Sequence, residues 1–223
     1  MRQGYIDALR ALAVIWMIIF HTTYDLNMFG FMAVNFSDGF WYAFPRVIAG
    51  TFLFCVGLSL NITHTPSIKW HSLLKRSIKL GLAALAISVV SYIMFPSQWI
   101  YFGTLHCILV GSFLGALVVH HRLFALFVFS LIISLQYGLD YDIKWVSTLL
   151  QRQSLDFIPI YPWFWTILLG ILLEPYLSRV KTLRELKVPN PALFLGRHSL
   201  KIYLLHQPLI YAILFLIKSF IPA

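Results

Sequence analysis

Apolar residues in this chain come in long uninterrupted runs. A helix needs about 20 mostly apolar residues to cross a bilayer core of about 30 Å. Windows of that kind cover residues 6–26, 41–61, 78–95, 99–119, 123–137, 157–177 and 199–220. The fifth is short, and only His120, His121 and Arg122 separate it from the fourth, which predicts a tight helical hairpin. The pattern predicts an all-α fold, a polytopic integral-membrane helical bundle of about seven transmembrane helices. No composition shift, low-complexity tract or internal repeat divides the chain, so residues 1–223 read as a single membrane domain.

Composition agrees with the pattern. Of 223 residues, 60% are hydrophobic and 11% charged, against roughly 45–50% and about 25% in soluble domains. A soluble globule of this kind would expose large apolar patches. A cytosolic enzyme, a secreted disulfide scaffold, a disordered protein and a coiled coil are thereby excluded. Cys55 and Cys107 lie inside apolar runs, away from any zinc-type spacing with histidine, and read as buried small hydrophobes. No metal is expected.

A net charge of +9 would suggest a nucleic-acid partner if the basic residues were clustered on a soluble face. They are not. Arg2, Lys69, Lys75, Arg76, Lys79, Arg122, Arg179, Lys181, Arg184, Lys187, Arg197 and Lys201 fall on one side of the predicted membrane. The opposite loops carry Lys144, Arg152 and Lys218, with Asp38, Asp140, Asp142 and Asp156. This bias predicts a cytoplasmic amino terminus and an extracytoplasmic carboxyl terminus, opposite to a seven-helix receptor. The charge is topological, and no nucleic acid is implied. The sequon Asn61-Ile62-Thr63 falls at the cytoplasmic end of the second span, and residues 141–150 read as an amphipathic outer-surface helix. Asp7 and Arg10 within the first 26 residues favour a retained helix over a signal peptide.

Ionisable groups at membrane depth are costly and are functional candidates by default. On a helical wheel Arg10 and His21 differ by about 20°, with Asp7 and Asp25 within about 60° of both. One face of the first span therefore carries Asp7, Arg10, His21 and Asp25, with Arg10 and His21 about 16 Å apart along the axis. Asp25 is placed to accept a ring N–H from His21 and orient an imidazole that acts as general base. For Arg10 an ion pair with Asp7 and a ligand role stand side by side. His106, in the fourth span, suits either substrate binding or an inter-helix hydrogen bond. Ser199, Tyr203 and His206 share a face of the last span, with Gln207 beside it and Pro208 after it. They suit a polar ligand or inter-helix hydrogen bonding. Arg46 shares a face with Gly50 and Gly57; the glycines suit close helix packing, and the arginine an anionic group or Asp38.

Arg10, ten residues and His21 resemble the R-x10-H signature of the type-three membrane acyltransferase superfamily. Three segments resemble bacterial members of the heparan-alpha-glucosaminide N-acetyltransferase catalytic-domain family: Gly50 to Ser59, Tyr101 to Ile108, and Asp156 to Phe164. So does Leu195 to Pro208. The resemblance runs over nearly the whole chain and rests on the order and spacing of these segments. It implies acyl transfer from cytoplasmic acetyl-CoA to an extracytoplasmic or lipid-linked glycan, in the bacterial inner membrane, with Arg10 and His21 as the motif pair. Resemblance to the lysosomal relatives implies a histidine in the lumenal loop after the first span; residues 27–45 here hold none.

The residues accommodate that chemistry. Lys75, Arg76, Lys79, Arg197 and Lys201 suit the phosphates of coenzyme A, although orientation bias alone also explains most of them. His21 serves either as general base for direct attack or as a transient acyl carrier, with His106 or Arg46 as donor to tetrahedral charge. The other class is a small transporter or permease with the polar stripe as substrate or proton path; the absence of related halves weighs against it. Expected partners are the bilayer, acyl-CoA and the glycan or glycolipid acceptor, with self-association left open.

Overall fold

A computed structural model of the chain describes residues 3–138 and 154–220. Arg2, Asp140, Asp142, Lys144, Arg152 and the surface helix expected over 141–150 lie outside the described residues. Among those described, the chain forms helices α1 (Gly4–Met28), α2 (Gly39–His64), α3 (Trp70–Met94), α4 (Thr104–Val118) and α5 (Arg122–Ile133). A short π-helical turn, Ser134–Gly138, extends α5. Then follow α6 (Ile160–Leu177), α7 (Lys181–Arg184), α8 (Asn190–Arg197) and α9 (Ser199–Phe220). No strand occurs among the described residues.

Five of these helices, α1, α2, α3, α6 and α9, are long and apolar enough to cross a membrane; α4 and α5 with its extension are shorter apolar helices. The difference from seven full spans has a local cause at α4. Gly103 caps the helix, and the Asp156 carboxylate accepts the Thr104 N–H at 2.8 Å and the Thr104 hydroxyl at 3.1 Å. The helix therefore starts at Thr104, and residues 99–103 join the connecting loop although their hydropathy continues the run.

By packing, the chain divides into two compact units: Met1–Phe52 with Val180–Ala223, and Leu53–Arg179. One boundary falls inside the continuous helix α2, where no composition change could mark it.

In the first unit α1 ends in a Schellman turn. The Phe31 N–H donates to the Leu26 carbonyl and the Gly30 N–H to the Asn27 carbonyl, with Gly30 at φ +78°. Short α8 lies against the start of α1: a Cβ on Gly196 would strike the backbone of Asp7. In the second unit α2 and α6 meet backbone to backbone. A Cβ on Gly57 would collide with the Ile167 carbonyl, and one on Gly170 with the backbone of Phe54, Leu58 and Gly57. Gly111 and Gly115 of α4 receive Ile167, Leu60 and Ile171 in the same way, a small-residue contact typical of membrane helices.

α3 shows which way its faces point. Leu73, Ser77, Leu80, Ala84, Ser88 and Ser91 are buried, while Ile78, Leu82, Leu85, Val89 and Ile93 face outward. Three serines on the buried face and an outer face of large aliphatic side chains form the arrangement that a lipid environment rewards. Hydroxyls within the spans bond back onto their own helix, as Ser112 does to the Ile108 carbonyl at 2.6 Å and Ser59 to that of Cys55 at 2.6 Å. The Asn61 side chain is committed internally, donating to the Ile171 carbonyl at 2.8 Å and accepting the Thr65 hydroxyl at 3.0 Å. Cys55 and Cys107 are buried and are not joined in a disulfide.

Candidate active site

The polar face of α1 forms as the helical spacing requires, and α8 and α9 supply its partners within the first unit. At the amino end the buried Asp7 carboxylate lies 3.5 Å from Arg10 Nη1 and 3.8 Å from Arg197 Nε. The Asp7–Arg10 pair is the ion pair the spacing allowed; Arg197 joins it from α8, while its side chain stays half exposed. Both separations are long for a charge-assisted hydrogen bond.

Near the other end of α1, His21 and Asp25 face α9. The rings of His21 and His206 pack edge to face, with centroids 4.9 Å apart. Asp25 is fully buried, and both its oxygens are held by the Gln207 amide, which donates at 2.9 Å and 3.0 Å. Burial of a carboxylate among apolar helices requires such donors. His206 Nδ1 lies 2.9 Å from the Tyr203 carbonyl and 3.2 Å from that of Ile202. The Tyr203 ring packs 5.9 Å from His206 and 6.4 Å from Phe52. His21, Asp25, Tyr203 and His206 are thus brought together. Ser199 opens α9, about 10 Å of helix before His206.

Phe20 links this cluster to a wall of aromatic rings, Tyr24, Phe36, Trp41 and Phe44, with centroids 5.8–6.5 Å from its own. Arg46 is exposed; it stacks on the Tyr42 ring at 3.6 Å and donates to the Tyr42 carbonyl, a local engagement where Asp38 or a ligand had been the expectation.

His106 belongs to the second unit. Its Nδ1 accepts the Gly103 N–H at 3.1 Å, which leaves the proton on Nε2, 3.3 Å from Ser88 Oγ. The Ser88 hydroxyl in turn donates to the Ile100 carbonyl at 2.7 Å, and the Ile100 N–H donates to Ser91 Oγ at 2.9 Å. Both ring nitrogens of His106 are therefore engaged by protein groups that fasten the α3–α4 loop. Lys75 and Lys79 are exposed and Arg76 half-buried along α3 of this unit; Arg197 and Lys201 belong to the other.

Two residues stand out that sequence reasoning had not singled out as site residues. Gln207 anchors Asp25 across 182 residues of chain; its place beside His206 and before Pro208 was the available signal. Glu174 is buried in α6 and hydrogen-bonded by Ser178. Among the described residues no three His, Cys, Asp or Glu side chains gather as a metal site would require.

Chemically, the α1–α9 cluster offers two imidazoles, a buried carboxylate and an amide within apolar helices. That set suits proton transfer at a hydroxyl or amine nucleophile. The family model described as "Heparan-alpha-glucosaminide N-acetyltransferase, catalytic" matches residues 2–208. No curated protein and no solved structure matches the chain significantly.

Proposed function

The chain belongs to the heparan-alpha-glucosaminide N-acetyltransferase catalytic family, and from that premise we propose that it moves an acetyl group from cytoplasmic acetyl-CoA to an extracytoplasmic or lipid-linked sugar. A membrane acetyltransferase is what the family and the five apolar helices support together. The observation that carries the reading is the cluster where α1 meets α9, in which buried Asp25 and His206 meet half-buried Gln207 and His21. Ionisable groups set among apolar helices are functional candidates by default.

In this proposal the amino terminus is cytoplasmic, as the lysine and arginine bias requires, and the host membrane is a bacterial inner membrane. His21 acts as general base or as acyl carrier, Asp25 sets the electrostatics beside it, and Tyr203 and His206 bind the acceptor. Arg10, beside Asp7 and with Arg197 across the same carboxylate, lies toward the coenzyme end. Basic residues at cytoplasmic helix ends meet the coenzyme's phosphates. His106, engaged at both ring nitrogens, orders its own loop and takes no part in the chemistry.

The test uses purified protein in vesicles with radiolabelled acetyl-CoA and a panel of amino and neutral sugars. Label reaches a sugar or the protein in the wild type and is lost in His21→Ala, with kcat lower by a factor of about 10²–10⁴. Wild type and variant equally inert across the panel, with uptake of a solute that depends on His21, would establish a permease instead.

A further inference from the structure

Resting on the acetyltransferase reading, but moving the base role that it gives His21 onto the neighbouring ring, we propose that His206 takes the proton from the attacking acceptor. Gln207 completes the same subsite, and together they select a hydroxyl or amine group. Two adjacent residues of α9 have their hydrogen-bonding roles fixed by the fold. His206 Nδ1 faces the carbonyls of Tyr203 and Ile202 at 2.9 Å and 3.2 Å. A carbonyl oxygen only accepts, so Nδ1 carries the hydrogen and the neutral ring keeps its lone pair on Nε2. That Nε2 is buried and has no hydrogen-bond partner among the described residues; the residue is 8% exposed.

Gln207 repeats the logic. Its amide nitrogen donates to both oxygens of Asp25, and a carboxylate can only accept, so the amide orientation is determined. Its Oε1 is likewise buried without a partner among the described residues. Consecutive side chains directed at His21 and Asp25 of α1 therefore each present an unfilled acceptor. Leaving a buried acceptor unfilled costs about 1–3 kcal/mol. A carboxylate, phosphate or carbonyl ligand would bring only more acceptors. A sugar hydroxyl or amine brings the hydrogens that both atoms lack.

The step then balances as a direct transfer. The acceptor's lone pair forms a bond to the thioester carbonyl carbon, and its proton passes to His206 Nε2. The carbon–sulfur bond breaks, its electron pair leaves on the coenzyme sulfur, and that sulfur takes the proton from Nε2. While the ring is doubly protonated, the Tyr203 and Ile202 carbonyls at Nδ1 face the added charge. His21, edge to face with this ring, is a positioning residue in the step.

The experiment compares wild type, His206→Asn and Gln207→Leu in detergent, with acetyl-CoA and D-glucosamine as probes. It follows thiol release and acetylated glucosamine from about pH 5 to about pH 9, where an imidazole changes charge. His206→Asn is expected to lower kcat by about 10²–10⁴ and to flatten the acid limb of the pH profile. Gln207→Leu is expected to raise the glucosamine KM by about 5–150-fold and leave the acetyl-CoA KM unchanged. Independently of turnover, ¹⁵N-histidine NMR should show an Nδ1–H tautomer whose Nε2 signal moves with glucosamine and disappears in His206→Asn. A wild type inert toward acetyl-CoA and every sugar overturns the acetyltransferase reading itself. With an active wild type, three results each overturn the proposal: His206→Asn with kcat within about threefold and an unaltered profile, Gln207→Leu raising both KM values alike, or an Nε2–H tautomer.

Discussion

Two histidine clusters sit inside apolar helices of this protein, one in each packing unit, and they are built on opposite terms. Around His106 each polar group named above is answered by the protein: Gly103 N–H and Ser88 Oγ by the ring, Thr104 by Asp156, Ile100 by Ser88 and Ser91. Around His206 and Gln207 the same kinds of atoms are present, yet two acceptors are left buried and unmatched among the described residues. Residue type and apolar setting do not separate these clusters. The completeness of the hydrogen bonding does, because a satisfied network stabilises one conformation and an unsatisfied one is stabilised by a ligand.

Substitutions that move activity and stability separately sharpen that contrast. The largest difference is expected between His21→Ala and His106→Ala: the first costs a factor of about 10²–10⁴ in acetyl transfer, the second less than about threefold per folded molecule. The stability order is reversed. His106→Ala strands the Gly103 N–H, and with it the α3–α4 loop, at a cost of about 1–3 kcal/mol, read as a lower thermal midpoint in detergent. A His106→Ala protein that is stable but inactive would erase the distinction between the clusters. Asp156→Ala removes the carboxylate that starts α4 and should cost about 0.5–2 kcal/mol, again without changing KM in the folded fraction. The smallest effect is expected at Arg197→Ala. Its guanidinium is half exposed and 3.8 Å from Asp7, so the stability change is at most about 1 kcal/mol, and it shrinks further in high salt.

The α1 polar face was legible in the sequence because Asp7, Arg10, His21 and Asp25 belong to one helix, whose geometry fixes their relation without any knowledge of neighbours. The long apolar helices were legible for the same reason: hydropathy is local. What Asp25 does was not legible. The spacing pointed to His21 four residues back, whereas Gln207 takes both carboxylate oxygens, a pairing that exists only once α1 and α9 have met. The start of α4 was hidden likewise, since its capping carboxylate lies 52 residues downstream and the hydropathy of residues 99–103 runs on unchanged. Arg197 read as a phosphate ligand on charge alone; the structure gives it a second engagement at Asp7. Burial and charge state of a site depend on which helices pair, and pairing leaves little trace in a single chain's pattern.

The bare meeting of Gly57 and Gly170 has a mechanical consequence. Side chains that interlock can change rotamer and let helices slip, but here main chain rests on main chain with no room for even one methyl group. A shift of one residue along either axis would bring the side chain of Val56, Leu58, Leu169 or Ile171 into that contact. Residues 53–64 of α2 and the facing helix α6 are thus fixed in register and travel as a single rigid strut, so whatever opening and closing a catalytic cycle demands of this unit has to be absorbed elsewhere in it.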